Sequence, residues 1–430
     1  MLVPTVGTAA IIIGSMTPSP VRAILRWRPV VFVGLIGYRA YLWHQPMFAF
    51  ANYLYPLSQA TWLPPVLVAS TMVLAFLTWK FVEQPWRNRE KFPRRAVFVT
   101  AAAGTTLFIA AGLGLKLTKG IPEKLAAPVL AITNEVSEHE QLRDDGGCSR
   151  NRDQHALADC IEGAAVPPRI AIVGDSHATS LVPALESTLR ARGESFIQYT
   201  KLGCPFSINV DTTDNFRCAD FWENVFADIE HREIDTVLVV SRWSYYLQDT
   251  GFNNRQGGVE PHSGKRYSVD GLSYDAPIES RAKAVLDAYL SAIKRLDQPD
   301  RHVFVMLPLP EQGWDVARLL ARMATSAPDF KPTADAIPPL PRSLWLARHA
   351  DVLREFQQFE SHSRIHLFDP TPALCPLDNG NGCPAVLEGS ALFYDDDHPT
   401  VIGAARVVQP FLASVFAASK QQAEVALLAH

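Results

Sequence analysis

Hydrophobic positions are distributed unevenly along the chain, and the unevenness divides it. Three stretches are apolar on every face: PVVFVGLIGYRAYLWHQPMFAFANYLY (29–55), WLPPVLVASTMVLAFLTWKFV (62–82) and AVFVTAAAGTTLFIAAGLGL (96–115). Each is about 20 residues or more, enough at 1.5 Å per residue for the roughly 30 Å hydrocarbon layer of a bilayer. A helix without a polar stripe has no face to give to water, so residues 1–115 are expected to lie in a membrane. The opening MLVPTVGTAAIIIG is apolar but short and lacks a basic leader. It reads as the tail of a membrane helix rather than as a signal peptide.

From residue 169 the pattern changes to short apolar runs alternating with amphipathic ones. The runs RIAIV (169–173), SFIQYT (195–200), DTVLVV (235–240), HVFVML (302–307) and RIHLF (364–368) predict strands. Helical periodicity appears over 177–191, 219–231, 279–296 and 343–360, and again after 399. Strands that are apolar throughout and alternate with helices predict a parallel sheet covered on both faces, a three-layer α/β/α domain. In such sheets ligands bind beyond the carboxyl ends of the strands. Residues 116–165 lack periodicity and read as a linker, and the Gly-, Asn-, Asp- and Ser-rich segment 246–278 reads as a solvated surface excursion in preference to a lid.

Charge and cysteine placement orient the chain. Arg22, Arg26 and Arg28 precede the first apolar stretch; Lys80, Arg87, Arg89, Lys91, Arg94 and Arg95 lie between the second and third; the loop 55–61 has no Lys or Arg. The positive-inside tendency places both basic segments in the cytoplasm and everything after residue 115 outside. All six cysteines follow residue 115 and fall into neighbours, Cys148 with Cys160, Cys204 with Cys218 and Cys375 with Cys383. An even count confined to the external part predicts disulfides, with local pairing the simplest scheme. No ordered Cys/His spacing suggests a metal site. The net charge of −4 gives no reason to expect a nucleic-acid partner.

Candidate chemistry sits at the first strand end, in IAIVGDSHATS (170–180). A serine opening a helix can serve merely as its N-cap. It can also act as a nucleophile, because the helix N-terminus favours the negative charge that develops on an oxyanion. The second role requires a base oriented by a carboxylate. FYDDDHPTVIGAARVV (393–408) supplies both: His398 leads into the last helix, and Asp395 is three positions upstream. Ser176, His398 and Asp395 are therefore the expected triad.

GDSH after a strand and D-x-x-H before the last helix resemble the SGNH (GDSL-like) hydrolase and acyltransferase superfamily, over about residues 165–420. The resemblance implies Ser176 as nucleophile with His398 and Asp395 as partners. It implies an oxyanion hole from the N–H groups of Ser176 and of Gly203 in KLGCPF. The family's third-block asparagine is missing; SRW, with Arg242 and Trp243, stands in that region and resembles SGNH domains fused to membrane acyltransferases. Arg242 is thus a candidate for the oxyanion or for gripping a sugar, or else an ion-pair partner, and Trp243 and His177 are candidates for touching substrate. IGYRAYLWHQPMF (36–48) and WKFVEQPWRN (79–88) resemble the closing helices of the acyltransferase-3 family, with His44 and Glu83 at late family positions. Early helices of that family have no counterpart here, which implies an incomplete membrane domain over 1–115, a linker over 116–165 and an SGNH domain over 166–420.

The resemblance implies a multi-pass protein of the bacterial inner membrane with its C-terminal domain in the periplasm. The implied reaction is transfer of an acyl group, usually acetyl, to an extracytoplasmic glycan such as lipopolysaccharide O-antigen. No metal or soluble cofactor is expected; an acyl donor such as acetyl-CoA would serve a full-length membrane domain, and membrane lipid and the glycan acceptor would be the partners. The alternatives are a periplasmic carbohydrate esterase, or a catalytically silent glycan-binding module on a membrane anchor.

Overall fold

The structure, a computed structural model, describes residues 2–55, 57, 60–87, 92–118, 148–150, 156–157, 159–260, 263–326, 330–376 and 382–428. The chain forms two compact units, Met1–Leu125 and Ala126–His430.

In the first unit the described elements are all helical: α1 (Leu2–Gly14), α2 (Pro20–Leu25), α3 (Arg28–Leu54), α4 (Leu63–Leu77), α5 (Gln84–Arg87) and α6 (Arg94–Leu117). A π-helical turn at Thr78–Glu83 joins α4 to α5, so Leu63–Arg87 runs as one 25-residue rod. That rod and α6 are long and apolar enough to cross a membrane. Helix α3 has the length, at 27 residues, but Arg39, His44 and Gln45 dilute its apolar content, and it does not match the other two. Helices α3 and α4 pack through Phe32 against Phe76 at 5.8 Å, and Trp43 donates its indole N–H to Thr78 Oγ1 at 2.9 Å. Glu83 pairs with Arg39 and Arg87, while His44 is half-buried and its Nδ1 lies 2.6 Å from the carbonyl of Tyr41. Phe98 and Phe108 of α6 are 74% and 80% exposed.

The second unit is built on a seven-stranded sheet. Its strands are β1 (Ser149–Arg150), β2 (Ile161–Gly163), β3 (Ile170–Gly174), β4 (Ser195–Lys201), β6 (Thr236–Val240), β8 (His302–Met306) and β10 (Ile365–Phe368); β5 (Val210–Thr212), β7 (Tyr267–Val269), β9 (Leu340–Pro341), β11 (Gly382–Cys383), β12 (Val386–Leu387) and β13 (Ser390–Ala391) form small ribbons outside it. The order is β1-β4-β3-β6-β8-β10, all parallel, with β2 added antiparallel on β4. All five strands expected from the apolar runs are present. Strands β1 and β2 fall inside the stretch read as a linker, whose remainder lies largely outside the described residues. They were hidden because they are two and three residues long, too short to show a period.

The helices are α7 (Ser176–Ala191), α8 (Cys218–His231), α9 (Ile278–Arg295), α10 (Val316–Ser326), α11 (Arg342–Phe356), α12 (Thr371–Leu374) and α13 (Val401–Leu428). Alternation along the strands separates two core layers. Val173, Tyr199, Val239 and Val305 join Trp222 of α8, Tyr289 of α9 and Phe356 of α11. On the opposite face Phe304 and Phe368 meet Phe411 of α13 at 6.5 and 4.9 Å. Residues 401–418 of α13 are apolar enough to cross a membrane, but Val407, Val408, Phe411 and Leu412 are buried within this unit, and that burial explains the composition. Three disulfides, Cys148–Cys160, Cys204–Cys218 and Cys375–Cys383, join the sequence neighbours.

The segment 246–278 departs from the solvated-loop expectation. Phe252 and Asn254 are buried. Asn254 accepts from the N–H groups of Gln256 and Gly258 and donates to the carbonyl of Gln312, which turns a polar sequence into a packed knot.

Candidate active site

Parallel register places the expected residues along one edge. Gly174 ends β3 opposite Thr200 of β4 and Val240 of β6. Ser176, Gly203 and Arg242 each follow within three residues, so all three leave the sheet at its carboxyl side. A Cβ on Gly174 would lie 1.7 Å from the carbonyl oxygen of Val240; only glycine lets the chain turn this close to β6.

Asp175, not Ser176, is the N-cap of α7. It is extended, and its Oδ1 accepts the N–H of His177 at 2.9 Å. Its Oδ2 accepts from Ser241 Oγ at 2.6 Å, the N–H of Arg242 at 2.8 Å and Tyr246 OH at 2.7 Å. Four donors converge on a carboxylate with no solvent exposure, and the positive end of the helix favours its charge as well. Burial and the Asp175 charge push the phenol of Tyr246 well above its ordinary value. Ser176 is thereby left as the first helical residue, free of the capping task.

The second half of the site is the loop before α13. Asp395 Oδ1 accepts the N–H groups of Asp397 and His398 at 3.1 and 2.8 Å, and its Oδ2 lies 2.8 Å from His398 Nδ1. The backbone around it is pinned from the loop after β8, where Gln312 and Gly313 donate to the carbonyl of Asp396. The His398 ring stacks on Tyr394 at 5.4 Å and meets the edge of His177 at 5.2 Å. His398 therefore stands against the first turn of α7, beside the residue next to Ser176. Its Nε2 is buried and has no hydrogen-bond partner among the described residues.

A second carboxylate shares His398. Asp397 Oδ1 is 2.9 Å from Nδ1, while its Oδ2 is 2.8 Å from His177 Nε2 and 2.9 Å from Arg242 Nε. Burial opposes charge on His398, but Asp395 and Asp397 outweigh it and hold its pKa well above the ordinary value. Burial likewise opposes charge on Asp397, yet Arg242, His398 and His177 keep its carboxyl well below the ordinary range. Asp396, buried beside two other carboxylates, is pushed up to about 8.

Arg242 is neither a surface ion-pair partner nor open to a substrate. It is 8% exposed. It grips Glu260 bidentately at 2.8 and 2.7 Å, Glu311 at 3.2 Å and Asp397 at 2.9 Å. Its N–H is held by Asp175, so neither its guanidinium nor its backbone is placed to receive an oxyanion; three carboxylates already occupy the guanidinium. Trp243, expected to touch substrate, has no exposure; it donates to the carbonyl of Met306 at 2.9 Å and packs edge-on against Tyr289 and Phe356. His177 is 1% exposed and engaged with Asp397, so it backs the site rather than lining it. Gly203 turns with φ +70 after β4, and a Cβ there would press on the Phe216 ring at 3.2 Å.

Asp175, Asp397, Glu260 and Glu311 were not singled out from sequence. The first two lay inside the quoted motifs, where proximity to Ser176 and His398 was the available signal. The glutamates sit in loops without periodicity. His177, Asp397 and His398 are close enough to share a metal ion, as are Asp395, Asp396 and Asp397. The Arg242 guanidinium on Asp397 opposes a cation at either group, and in the first Asp397 already engages both imidazoles.

Comparison with known proteins gives the family of the chain. A family model described as SGNH domain (fused to AT3 domains) matches residues 147–413. Among solved structures, the chain is similar to the periplasmic domain of a Salmonella ser. Paratyphi A lipopolysaccharide acetyltransferase. The identity is 16% and the TM-score 0.42, covering 66% of this chain and 97% of that one. It is also similar to a protein described as an acylhydrolase from Bacteroides fragilis NCTC 9343, with 12% identity and TM-score 0.32, over 60% of this chain and 90% of the other. No curated protein matches.

Proposed function

Because the chain belongs to the family of SGNH domains fused to AT3 domains, we propose that its α/β unit is a serine acyltransferase placing acyl groups, chiefly acetyl, on an extracytoplasmic glycan such as lipopolysaccharide O-antigen. The observation that carries the reading is His398: carboxylates on Nδ1, and an unpartnered Nε2 against the turn that bears Ser176. Nε2 takes the Ser176 proton as Oγ attacks the acyl carbonyl. The oxyanion is held by the N–H groups of Ser176 and Gly203 at the positive end of α7. Collapse expels the donor's leaving group, which receives that proton from His398. A sugar hydroxyl then gives its proton to Nε2 and attacks the acyl-enzyme, and Ser176 Oγ leaves with the proton. Asp395 and Asp397 stabilise the imidazolium formed in each half. These steps use no metal or soluble cofactor; acetyl-CoA would act upstream, at a membrane acyltransferase domain.

The basic segments before the first apolar stretch and between the second and third, with three disulfides confined to the second unit, support a bacterial inner-membrane anchor and a periplasmic domain. The test is to incubate the full chain in detergent with a small acetyl ester, with and without an oligosaccharide acceptor, beside Ser176→Ala. Acetylated sugar from wild type, with at least about a thousandfold loss in the variant, is expected. Acetate alone in both conditions would make the protein an esterase. Turnover unchanged by Ser176→Ala would overturn the serine mechanism, and no turnover in either protein with glycan affinity intact would leave a glycan-binding module.

A further inference from the structure

His398 Nδ1 has one hydrogen to donate and two carboxylates within reach, Asp395 through Oδ2 at 2.8 Å and Oδ1 at 3.1 Å, and Asp397 through Oδ1 at 2.9 Å. The two carboxylates differ in setting. The Asp395 side chain is 28% exposed and spends its other oxygen on the backbone N–H groups of Asp397 and His398. That oxygen shapes the turn, and water can screen the charge. The Asp397 side chain is 2% exposed, and its other oxygen is fixed by His177 Nε2 and Arg242 Nε. Arg242 in turn is fixed by Glu260 and Glu311. A buried, doubly anchored carboxylate reorients far less than a half-exposed one.

We infer that Asp397 is a positioning residue: clamped from behind by His177 and Arg242, it holds the His398 ring in the plane that keeps Nε2 turned toward the first turn of α7. Its kinetic meaning rests on the acyl-transfer reading, but its physical content does not. The groups that face the pair are Tyr394, Asp395 and Asp396 from the same loop, His177 from α7, Arg242 beyond β6, Glu260 from the following knot and Glu311 from the loop after β8. Of these, only Asp395 and Asp397 touch Nδ1. The competing account makes Asp397 merely the counter-ion of Arg242, with no hold on the imidazole.

The experiment measures exchange at the imidazole C2–H of His398 across pH, read by mass spectrometry on the full chain in detergent. It runs beside kcat and KM for a small acetyl ester. Asp397→Asn is expected to lower the His398 titration by about one pH unit or more, the tenfold weakening that loss of one adjacent charge brings. It should lower kcat about tenfold with KM unchanged, and Asp397→Glu should restore part of both. His177→Leu, which removes one of the two donors on Asp397 Oδ2 and leaves both carboxylates on His398, lets more of the Asp397 charge act on the imidazole and should move the titration upward. An unshifted titration in Asp397→Asn overturns the inference; should that variant not fold, an unshifted titration in His177→Leu does so. Ester turnover that survives Ser176→Ala would instead remove the acyl-transfer reading and leave the titration result standing.

Discussion

Arg242 offers the sharpest test of how the site is held. Arg242→Met keeps a comparable stem but removes a cation that sits among Asp397, Glu260 and Glu311. Removing one partner of a buried ion pair typically costs about 3–5 kcal/mol, because the abandoned charge stays buried. Glu311 gives an independent scale. Burial alone would raise its pKa, but Arg242 first, then Arg348 and His349, bring it from an ordinary 4.5 to about 2. At about 1.4 kcal/mol per unit, its ionisation contributes on the order of 3 kcal/mol to neutral-pH stability. A depressed carboxylate contributes fully above its unfolded pKa and loses that contribution as pH falls through its folded value. The deficit of Arg242→Met should therefore be complete near pH 7 and shrink from about pH 4.5 downward. For a domain of this size a loss of about 3–5 kcal/mol lowers Tm by roughly 6–15 °C. Calorimetry of the full chain at pH 7 and pH 3 reads both quantities. A deficit below about 1 kcal/mol at pH 7, or one equal at both pH values, would mean that Arg242 acts by packing and that the charge argument is wrong.

Other predictions rest on neighbouring features. The raised pKa of His398 should move the acid limb of kcat/KM for an acetyl ester above the ordinary 6.5, since the base must first lose its proton; a limb at or below that value would show that the carboxylates do not act on the resting imidazole. Gly174→Ala should prevent soluble expression of the α/β unit, because its Cβ would meet the Val240 carbonyl at 1.7 Å; a folded variant with native Tm would refute the close approach. Replacing Cys204 and Cys218 by Ser removes the clip next to Gly203, which closes a loop of 14 residues. A loss of about 3 kcal/mol is expected in urea unfolding, and kcat should fall more than KM rises. Trp243→Ala should cost about 3–5 kcal/mol as a core truncation, with any surviving activity showing an unchanged KM.

The parts of the fold that were legible in sequence are those whose cause is local. Strand β3 and its parallel neighbours are buried on both faces, so their apolar runs announce them. Helix α7 follows a motif whose glycine and aspartate make the turn itself. What was illegible depends on partners far away in the chain. SRW gives no sign that its arginine will be enclosed by Glu260 and Glu311, or that its tryptophan will face the core between α9 and α11. The knot at 252–260 reads as solvated because Asn254 is polar; its burial becomes tolerable only when backbone groups from two loops satisfy it. Three consecutive aspartates before His398 look alike in sequence, and only the fold separates the exposed Asp395 from the enclosed Asp397.

The four donors gathered on Asp175 carry an evolutionary corollary. Two come from side chains at positions 241 and 246, whose hydroxyls find a common acceptor in that one carboxylate. A lineage that replaced the aspartate would strand both hydroxyls, and one that lost either hydroxyl would leave the anion short of a donor. Aligned sequences of this family should therefore show columns 175, 241 and 246 changing in concert or not at all.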